Sequence, residues 1–419
     1  MASIPQHKTS SGRLPIPVLL LIIAFATPPE LSLSLGGLRL SPYRIIVLTM
    51  LIPCIGKLLC GRSGRARACD FLMLGHGLWV ILALIAYAGV GQGIESGGIY
   101  FAEALGGYLI GRCCIRDSAR FFAMAKLMRR MVFLLMVVAI AESVTGNHFI
   151  RDASRAALGG PSLPYIEPRL GLHRAFTSFD HPILYGIFCA STMGMAVYLT
   201  DRKSGMVGRI RQPLVTVTAT FFSLSSGAFS ALGAQLMLVA WDVVTRRVTN
   251  RWWILGSLFA AVWGVITLLS NRGPVKVFLS YFTFSPGTGY NRLRIWEYGS
   301  AEVVRHPLLG IGLGEWDRPI WMVSNSMDNF WLATAVRYGI PAFGFLALVV
   351  LYIAFRQLTS KDRTLRFHQC RCAWIISISG MSLAACTVHF WNSLFCLFCL
   401  LIGSGVWMTD RSRQASRSI

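Results

Sequence analysis

The stretch WWILGSLFAAVWGVITLL, from Trp252 to Leu269, decides what kind of protein this is. It carries no charged side chain, and its length matches the roughly 20 residues that an α-helix needs to cross a bilayer. The whole chain has the same character, because 54% of its 419 residues are hydrophobic, only 14% are charged, and its mean hydropathy is +0.56. Soluble domains do not carry this composition. The sequence therefore predicts an integral membrane protein.

Apolar windows of this length recur along the chain and predict an all-α, polytopic membrane bundle of about twelve transmembrane helices. Their centres are expected near Ile22, Leu51, Leu82, Leu105, Met136, Ala190, Thr218, Gln235, Val262, Ala347, Ile378 and Leu400. The run from Leu14 to Thr27 is similar to a signal peptide, but no convincing small-residue cleavage site follows it, so we expect a retained first helix.

Basic residues occupy every second connection between these helices. The series begins with Lys8 and Arg13 and ends with Arg411, Arg413 and Arg417. By the positive-inside rule, this alternation predicts that both termini are cytoplasmic. The formal net charge of +22 is thus explained by membrane orientation and by anionic lipid headgroups, and no nucleic acid partner is expected.

Metal and cofactor chemistry is not expected from this sequence. The eleven cysteines lie in apolar runs or beside basic loops, without the spacing to histidines that a zinc site requires. We interpret them as small core residues.

Two connections that are expected to face outward are long, and they divide the chain into five parts. We expect transmembrane helices 1 to 5 in residues 1–145, a first long external loop in 146–181, helices 6 to 9 in 182–270, a second long external loop with an interfacial helix in 271–338, and helices 10 to 12 with a cytoplasmic tail in 339–419. Loops of this length are usually functional or disordered. Aromatic residues able to pack onto the bundle favour function here.

The first long loop ends in EPRLGLHRAFTSFDHPILYG, residues 167–186. Its proline and aromatic residues return the chain to the membrane, where partly desolvated charges interact more strongly. We identify Arg174, Asp180 and His181 as candidate catalytic residues, and Arg169 as a candidate substrate-binding residue. The alternative is a solvated loop whose arginines contact lipid phosphates.

The second long loop contains YNRLRIWEYGSAEVVRHPLLGIGLGEW, residues 290–316. Its apolar spacing predicts a short interfacial helix that ends at Pro307. The glycines that follow match neither the Walker nor the dinucleotide-binding motif. The candidates in this segment are Arg292 for catalysis and, for substrate binding, Arg294, Trp296, Arg305 and His306.

A third segment, SNSMDNFWLATAVRYGIPAFG, residues 324–344, places polar side chains at the entrance of a span. Asp328 is a candidate catalytic residue and Asn329 a candidate substrate-binding residue, because polar groups at this depth usually face the bundle interior or a water-filled cavity. The alternative is that Ser326 or Asp328 only caps the following helix.

These residue types fit one kind of chemistry. Arginine forks bind phosphate oxygens through two hydrogen bonds and stay charged at any relevant pH. A diphosphate-linked sugar on a membrane lipid has its leaving group at this depth, and fixed cations would stabilise the charge that develops on the departing diphosphate. Asp180, His181 or Asp328 would take the proton from the acceptor hydroxyl.

In these three segments the chain resembles the O-antigen polymerase and ligase superfamily of bacterial envelope glycosyltransferases, and in particular its exopolysaccharide polymerase-like members. The resemblance covers roughly Gly146 to Phe355. It implies a metal-independent glycosyltransferase that takes oligosaccharide repeat units from an undecaprenyl diphosphate donor at the outer face of the bacterial cytoplasmic membrane. It further implies that Arg174 and Arg292 hold the donor. Whether a chain-length regulator is a partner is left open by the sequence.

One departure bears on the branch of the superfamily. The ligase branch has a histidine directly before the asparagine of the third segment, and that position is Asp328 here. This favours a polymerase over a ligase that transfers to a lipid core, and it leaves the base unassigned.

Two other classes remain open at this stage. A lipid-linked oligosaccharide flippase would suit twelve spans equally well, but it would concentrate charge in a central cavity, whereas here the ionisable groups gather in external loops. A shape-and-division type of cell-wall glycosyltransferase would need an acidic residue in its largest external loop, which Asp317 or Asp328 would fill only loosely.

Overall fold

A computed structural model describes residues 13–35, 38–160, 162–200, 205–271, 273–281, 286–322, 324–360, 362 and 364–409. The basic residues Lys8, Arg411, Arg413 and Arg417 lie outside these ranges. Within them the structure is almost entirely helical, with one short antiparallel strand pair, Leu33–Leu35 with Leu38–Leu40.

The helices follow one another in chain order. They are α1 (Ile16–Phe25), α2 (Pro42–Leu59), α3 (Ala68–Ala88), α4 (Val90–Phe101), α5 (Gly107–Cys114), α6 (Ser118–Thr145), α7 (Phe149–Leu158), α8 (Pro182–Ala190), α9 (Met193–Tyr198), α10 (Gly205–Phe221), α11 (Ser226–Val244), α12 (Arg251–Leu269), α13 (Gly273–Tyr281), α14 (Pro286–Arg305), α15 (Phe330–Leu358), α16 (Leu365–Ala384) and α17 (Asn392–Ser404). A π-helical turn, Ala102–Gly106, joins α4 to α5.

The structure confirms an all-α, polytopic membrane protein. In the described residues six helical stretches are long and apolar enough to cross a bilayer, namely α2, α3, α11, α12, α15 and Asn392–Thr409. Each of the expected span centres falls within a helix or within the π turn. The count of about twelve transmembrane helices and the side on which the termini lie stay predictions.

The bundle interior is built around closely packed helix pairs. In one of them α5 lies against α17, and a side chain at Gly111 would collide with the backbone oxygen of Leu400. Small residues that let helix backbones approach are typical of membrane bundles, where packing rather than hydrophobic burial holds helices together. At the other extreme, α12 has no buried residue at all.

One charged residue lies near the centre of an expected span, where the sequence predicts almost no charge. Glu103, in the π turn, is buried, and it accepts hydrogen bonds from the Tyr43 hydroxyl (2.7 Å) and from Arg44 Nε (2.6 Å). Its position is two residues from Leu105, the expected centre of the fourth span. The expectation that mid-span stretches are nearly free of charge therefore has a paired exception.

The two long loops contain helices of their own. The first includes α7, and the second includes α13 and α14. The helix predicted in the second long loop is present as α14, which ends at Arg305, just before Pro307, and its interfacial position stays a prediction. The capping prediction for Ser326 or Asp328 was wrong, because the Asn329 side chain caps α15 by accepting from the Leu332 amide at 3.0 Å.

Candidate functional site

The site is organised by the short turn that joins α10 to α11, residues 222–225, which we call the α10–α11 turn. Leu224 adopts a positive φ of 45°. The Ser223 hydroxyl donates to the Thr220 carbonyl and accepts from the Ser225 amide, so that the serine holds the turn in this shape. As a result, carbonyl oxygens of the turn are presented to the first long loop.

Three arginines from those loops meet at this turn and at the first residue of α11. Arg169 Nη1 donates to the Leu224 carbonyl at 3.0 Å, and Arg174 Nε donates to the Ser223 carbonyl at 3.4 Å. Arg292 Nη2, from α14, donates to the Ser226 hydroxyl at 3.2 Å. We call Arg169, Arg174 and Arg292 the arginine cluster. The structure thus brings together Arg174 and Arg292, which are 118 positions apart in the sequence.

The arginine cluster brings like charges together at a buried place. Arg174 is 8% exposed and Arg292 is 6% exposed. Burial, with repulsion from Arg169, lowers the pKa of Arg174 to about 10. Burial also lowers the pKa of Arg292, against the attraction of Asp328. The amino end of α11 adds positive potential at the same place. Such an arrangement is suited to binding an anion with several negative charges.

The loop that carries Arg174 is held by groups that the sequence did not identify as functional. Glu142, near the end of α6, accepts from the backbone amides of Phe176 (3.2 Å) and Thr177 (2.9 Å). Arg151 of α7 donates to the Phe179 carbonyl at 2.7 Å. The signal that pointed to Glu142 was available, since an acidic residue near the end of an apolar span is costly unless it has partners.

Arg151 is in turn fixed by an ion pair with Glu30, at 2.8 Å, in the connection between α1 and α2. Nothing in the local sequence predicts this pair, because the two residues are 121 positions apart. The first long loop is therefore anchored on both sides by buried charges.

The candidate residues of the third segment lie beside Arg292. Asp328 is half-buried, accepts from the Ser326 hydroxyl at 2.9 Å, and raises the pKa of Arg292 through its negative charge. Asn329 is buried, and its side-chain oxygen is used to cap α15. Asp328 is therefore a carboxylate that acts electrostatically on the arginine cluster.

The two other candidate bases, His181 and Asp180, contact different parts of the structure. His181 caps α8 through Nδ1, which accepts from the Ile183 amide at 3.2 Å. Burial and the charges of Arg174 and Arg169 lower the pKa of His181 to about 4, so its ring is neutral at pH 7. Asp180 instead accepts from Asn392 Nδ2 at 3.0 Å and lines a small separate cavity. His181 thus faces the arginine cluster, whereas Asp180 is turned toward α17.

The remaining candidates of α14 are directed elsewhere. The Arg294 guanidinium lies over the rings of Tyr290 (4.5 Å) and Trp321 (5.0 Å). Trp296 packs against a small apolar cluster between α14 and the following loop.

Arg305 and His306 lie at the far end of α14, about 20 Å along the helix axis from Arg292 at 1.5 Å per residue. Arg305 pairs with Asp317 at 2.7 Å and with Glu302 at 3.4 Å, and His306 Nε2 lies 3.4 Å from Glu302. The structure does not bring these two residues to the arginine cluster.

The fold and this site define a polytopic membrane protein with a buried cationic site between two long loops. Residues 214–347 match the family model of the O-antigen ligase. The match includes the α10–α11 turn, Arg292 and Asp328, and it supports membership of the chain in the O-antigen ligase and polymerase superfamily. No curated protein matches the chain.

Proposed function

We propose that the protein is a membrane glycosyltransferase that transfers oligosaccharide units from a polyprenyl diphosphate donor, with undecaprenyl diphosphate as the donor lipid, in O-antigen or exopolysaccharide synthesis. The observation that carries this proposal is the convergence of three arginines on the α10–α11 turn and the first residue of α11. A diphosphate offers negative charges and oxygen acceptors that match several guanidinium groups at once. The proposal places the diphosphate in the arginine cluster and the lipid chain in the bilayer.

The proposed reaction is a substitution at the anomeric carbon of the donor sugar. A hydroxyl oxygen of the acceptor forms a bond to this carbon, and the bond from the carbon to the diphosphate oxygen breaks. The diphosphate leaves with the electron pair, and its growing charge is stabilised by Arg169, Arg174 and Arg292. No cofactor enters this scheme, and we propose that no metal is required.

Asp328 is the base that the geometry favours. Its carboxylate is half-buried and acts on Arg292, so that it lies next to the proposed leaving group. It would take the proton of the acceptor hydroxyl as the new bond forms. His181 is a poor acceptor for this proton, because its Nδ1 already accepts from the Ile183 amide and its pKa is lowered to about 4. Asp180 faces another cavity and is assigned a positioning role through Asn392.

We propose polymerisation of repeat units rather than ligation to a lipid core, because Asp328 stands where the ligase branch has a histidine. The reaction is placed at the outer face of the bacterial cytoplasmic membrane, with both termini in the cytoplasm, on the basis of the alternating basic connections. A chain-length regulator is the partner protein expected for a polymerase of this class.

The test is transfer by purified protein from a synthetic polyprenyl-diphosphate oligosaccharide, with chelator present. Arg174→Ala and Arg292→Ala are each expected to lower kcat/KM by a factor of about 10² to 10³, the range seen when a fixed group that stabilises a developing anion is removed. Arg305→Ala, on the same helix as Arg292 but paired with Asp317, is the matched control and is expected to stay within about threefold.

Three results would count against the proposal. Equal losses in Arg305→Ala and Arg292→Ala would remove the special role of the arginine cluster. Transfer that disappears with chelator would refute metal independence. If cells carrying Arg174→Ala retained labelled repeat units on the inner leaflet, the protein would be a flippase rather than a transferase.

A further inference from the structure

A second cavity lies between α6 and α10, well separated from the arginine cluster. Its volume is about 730 Å³, within the range of small-molecule sites. Its α6 wall is centred on residues 126–130, about 20 Å along that helix from Glu142, which supports the loop carrying Arg174. The cavity is therefore independent of the proposed transfer site.

Positive charge dominates this cavity. Lys126, Arg129 and Arg130 of α6 and Arg211 of α10 all line it. No acidic residue is found among the described residues of its lining. We call these four residues the α6–α10 basic site. Four cations around one cavity repel one another unless an anion lies between them.

Three other basic residues near helix ends have acidic partners. Arg112 lies 3.2 Å from Asp70, Arg120 lies 3.5 Å from Asp117, and Arg251 of α12 pairs with an aspartate at 2.6 Å. The positive-inside rule accounts for basic residues in the connections, but it does not require that they surround a cavity. The α6–α10 basic site thus needs a further explanation.

One member of the site is fixed in place by the protein. Arg129 Nη1 donates to the Thr200 hydroxyl at 2.9 Å and to the Met195 carbonyl at 3.3 Å, at the end of α9. Lys126, Arg130 and Arg211 are exposed side chains around it. Arg129 is thus held in a fixed position, whereas the three cations around it can change their side-chain conformation to fit a ligand.

The walls of the cavity are also apolar, because Phe122, Phe133 and Leu134 of α6 line it together with the basic residues. Phe133 and Leu134 are 48% and 65% exposed. A helix of 28 residues is about 42 Å long, which exceeds a hydrocarbon core of roughly 30 Å. Residues 126–130 then lie near the headgroup boundary if α6 ends at the opposite boundary, with the apolar side chains just inside it.

We propose that the α6–α10 basic site binds the phosphate headgroup of an anionic phospholipid, and prefers a headgroup with two phosphates, as in diphosphatidylglycerol. Phosphate oxyanions would lie among the four cations while the acyl chains run along Phe133 and Leu134. Basic cavities between membrane helices are suited to such headgroups. Two phosphates fit better than one because the cations are distributed over two helices and a large volume.

The test is native mass spectrometry of the full chain in detergent with defined lipids. The wild type is expected to bind diphosphatidylglycerol more tightly than phosphatidylglycerol, and either of them more tightly than phosphatidylethanolamine. The triple variant Lys126→Gln, Arg130→Gln, Arg211→Gln is expected to lose at least about tenfold in affinity for diphosphatidylglycerol. Arg129 is left unchanged because it contacts α9.

The matched control removes one lysine and two arginines from a different basic segment, as Lys57→Gln, Arg62→Gln, Arg65→Gln. These three exposed residues follow α2 or end it, and they do not line the cavity. The control is expected to change lipid affinity by less than about twofold, because screened surface charges contribute little. Equal losses of lipid affinity in the two triple variants would show that only the net charge matters. That result would refute the proposed lipid site.

The source of the phosphate is tested in the same experiment. Free pyrophosphate at the lipid concentration is expected to leave diphosphatidylglycerol bound, because it lacks chains for the apolar wall. Displacement by pyrophosphate would refute a lipid ligand. If the triple variant does not fold, Arg211→Gln alone, at an exposed position, is expected to weaken binding about threefold relative to Arg65→Gln, and no difference between these two would contradict the proposal.

Discussion

Replacing Arg174 with Gln is expected to stabilise the ligand-free protein while it abolishes transfer. Burial and Arg169 lower the pKa of Arg174 from 12.5 to about 10. At about 1.4 kcal/mol per pKa unit, the charged form is destabilised in the folded state by roughly 3 kcal/mol at neutral pH. The lost hydrogen bond to the Ser223 carbonyl, 3.4 Å long, offsets about 1 kcal/mol of this. The net expectation is a gain of roughly 2 kcal/mol in the free energy of unfolding.

Arg151→Gln is the control variant for this prediction. Arg151 is equally buried, at 7% exposed, but it is paired with Glu30 at 2.8 Å. Removing one partner of a buried ion pair leaves the other charge uncompensated and costs roughly 3 to 5 kcal/mol. Two neighbouring buried arginines should therefore respond to the same substitution with opposite signs.

The assay is thermal unfolding of the purified protein in detergent, followed by intrinsic fluorescence at one fixed scan rate because membrane proteins often unfold irreversibly. Added pyrophosphate is expected to raise the wild-type midpoint, by the equivalent of about 2.7 kcal/mol at one hundred times its Kd. The Arg174→Gln variant should respond much less. A midpoint that falls as far in Arg174→Gln as in Arg151→Gln would refute the view that Arg174 is held for an anion.

Three further predictions follow from the described contacts. Gly339→Ala is expected to cost several kcal/mol and to lower the yield of folded protein, because φ at this position is +84° and a Cβ would collide with a backbone carbonyl, whereas Gly344→Ala on the same helix has open space and should be neutral. The lowered pKa of His181, about 4, means that the unfolded state binds this proton more readily, so stability is expected to fall as pH drops from 6.5 toward 4. His181→Asn keeps an acceptor for the helix cap, and part of that slope should disappear from its unfolding midpoints measured across this range. The remainder belongs to other buried groups, among them His389, whose pKa is lowered in the same way. Glu142→Ala removes the acceptor of two backbone amides in the first external loop and is expected to lower both the unfolding midpoint and transfer, so a variant with wild-type transfer would show that this carboxylate is dispensable.

The positions of the helices could be predicted from the sequence because crossing a bilayer requires a local property, a long apolar run. Trp252–Leu269 and Phe330–Leu358 are recognisable without knowledge of any neighbour. The arginine candidates were recognisable for a related reason, since Arg174 and Arg292 are charges beside segments that enter lipid. Their convergence was a hypothesis that only the three-dimensional structure could examine.

What the sequence did not reveal depends on contacts between distant positions. The α10–α11 turn has the sequence of an ordinary serine-rich connection, and only the folded structure shows that the turn and the first residue of α11 together accept from three arginines. Glu103 was overlooked because its partners, Tyr43 and Arg44, lie about sixty positions earlier. The different roles of Arg292 and Arg305 could not be predicted either, because two arginines on one helix can contact different neighbours.

The helix α12 illustrates how unevenly selection should act on this chain. None of its residues is buried, so few of its side chains pack against the bundle. Exchanges among Leu, Ile, Val and Phe within it should accumulate almost freely over evolutionary time, since partition into hydrocarbon hardly distinguishes them, whereas one aspartate at its middle would cost about 3 kcal/mol of insertion free energy. Among homologues, the amino-acid sequence of this helix should consequently change fastest, while its mean hydropathy stays constant.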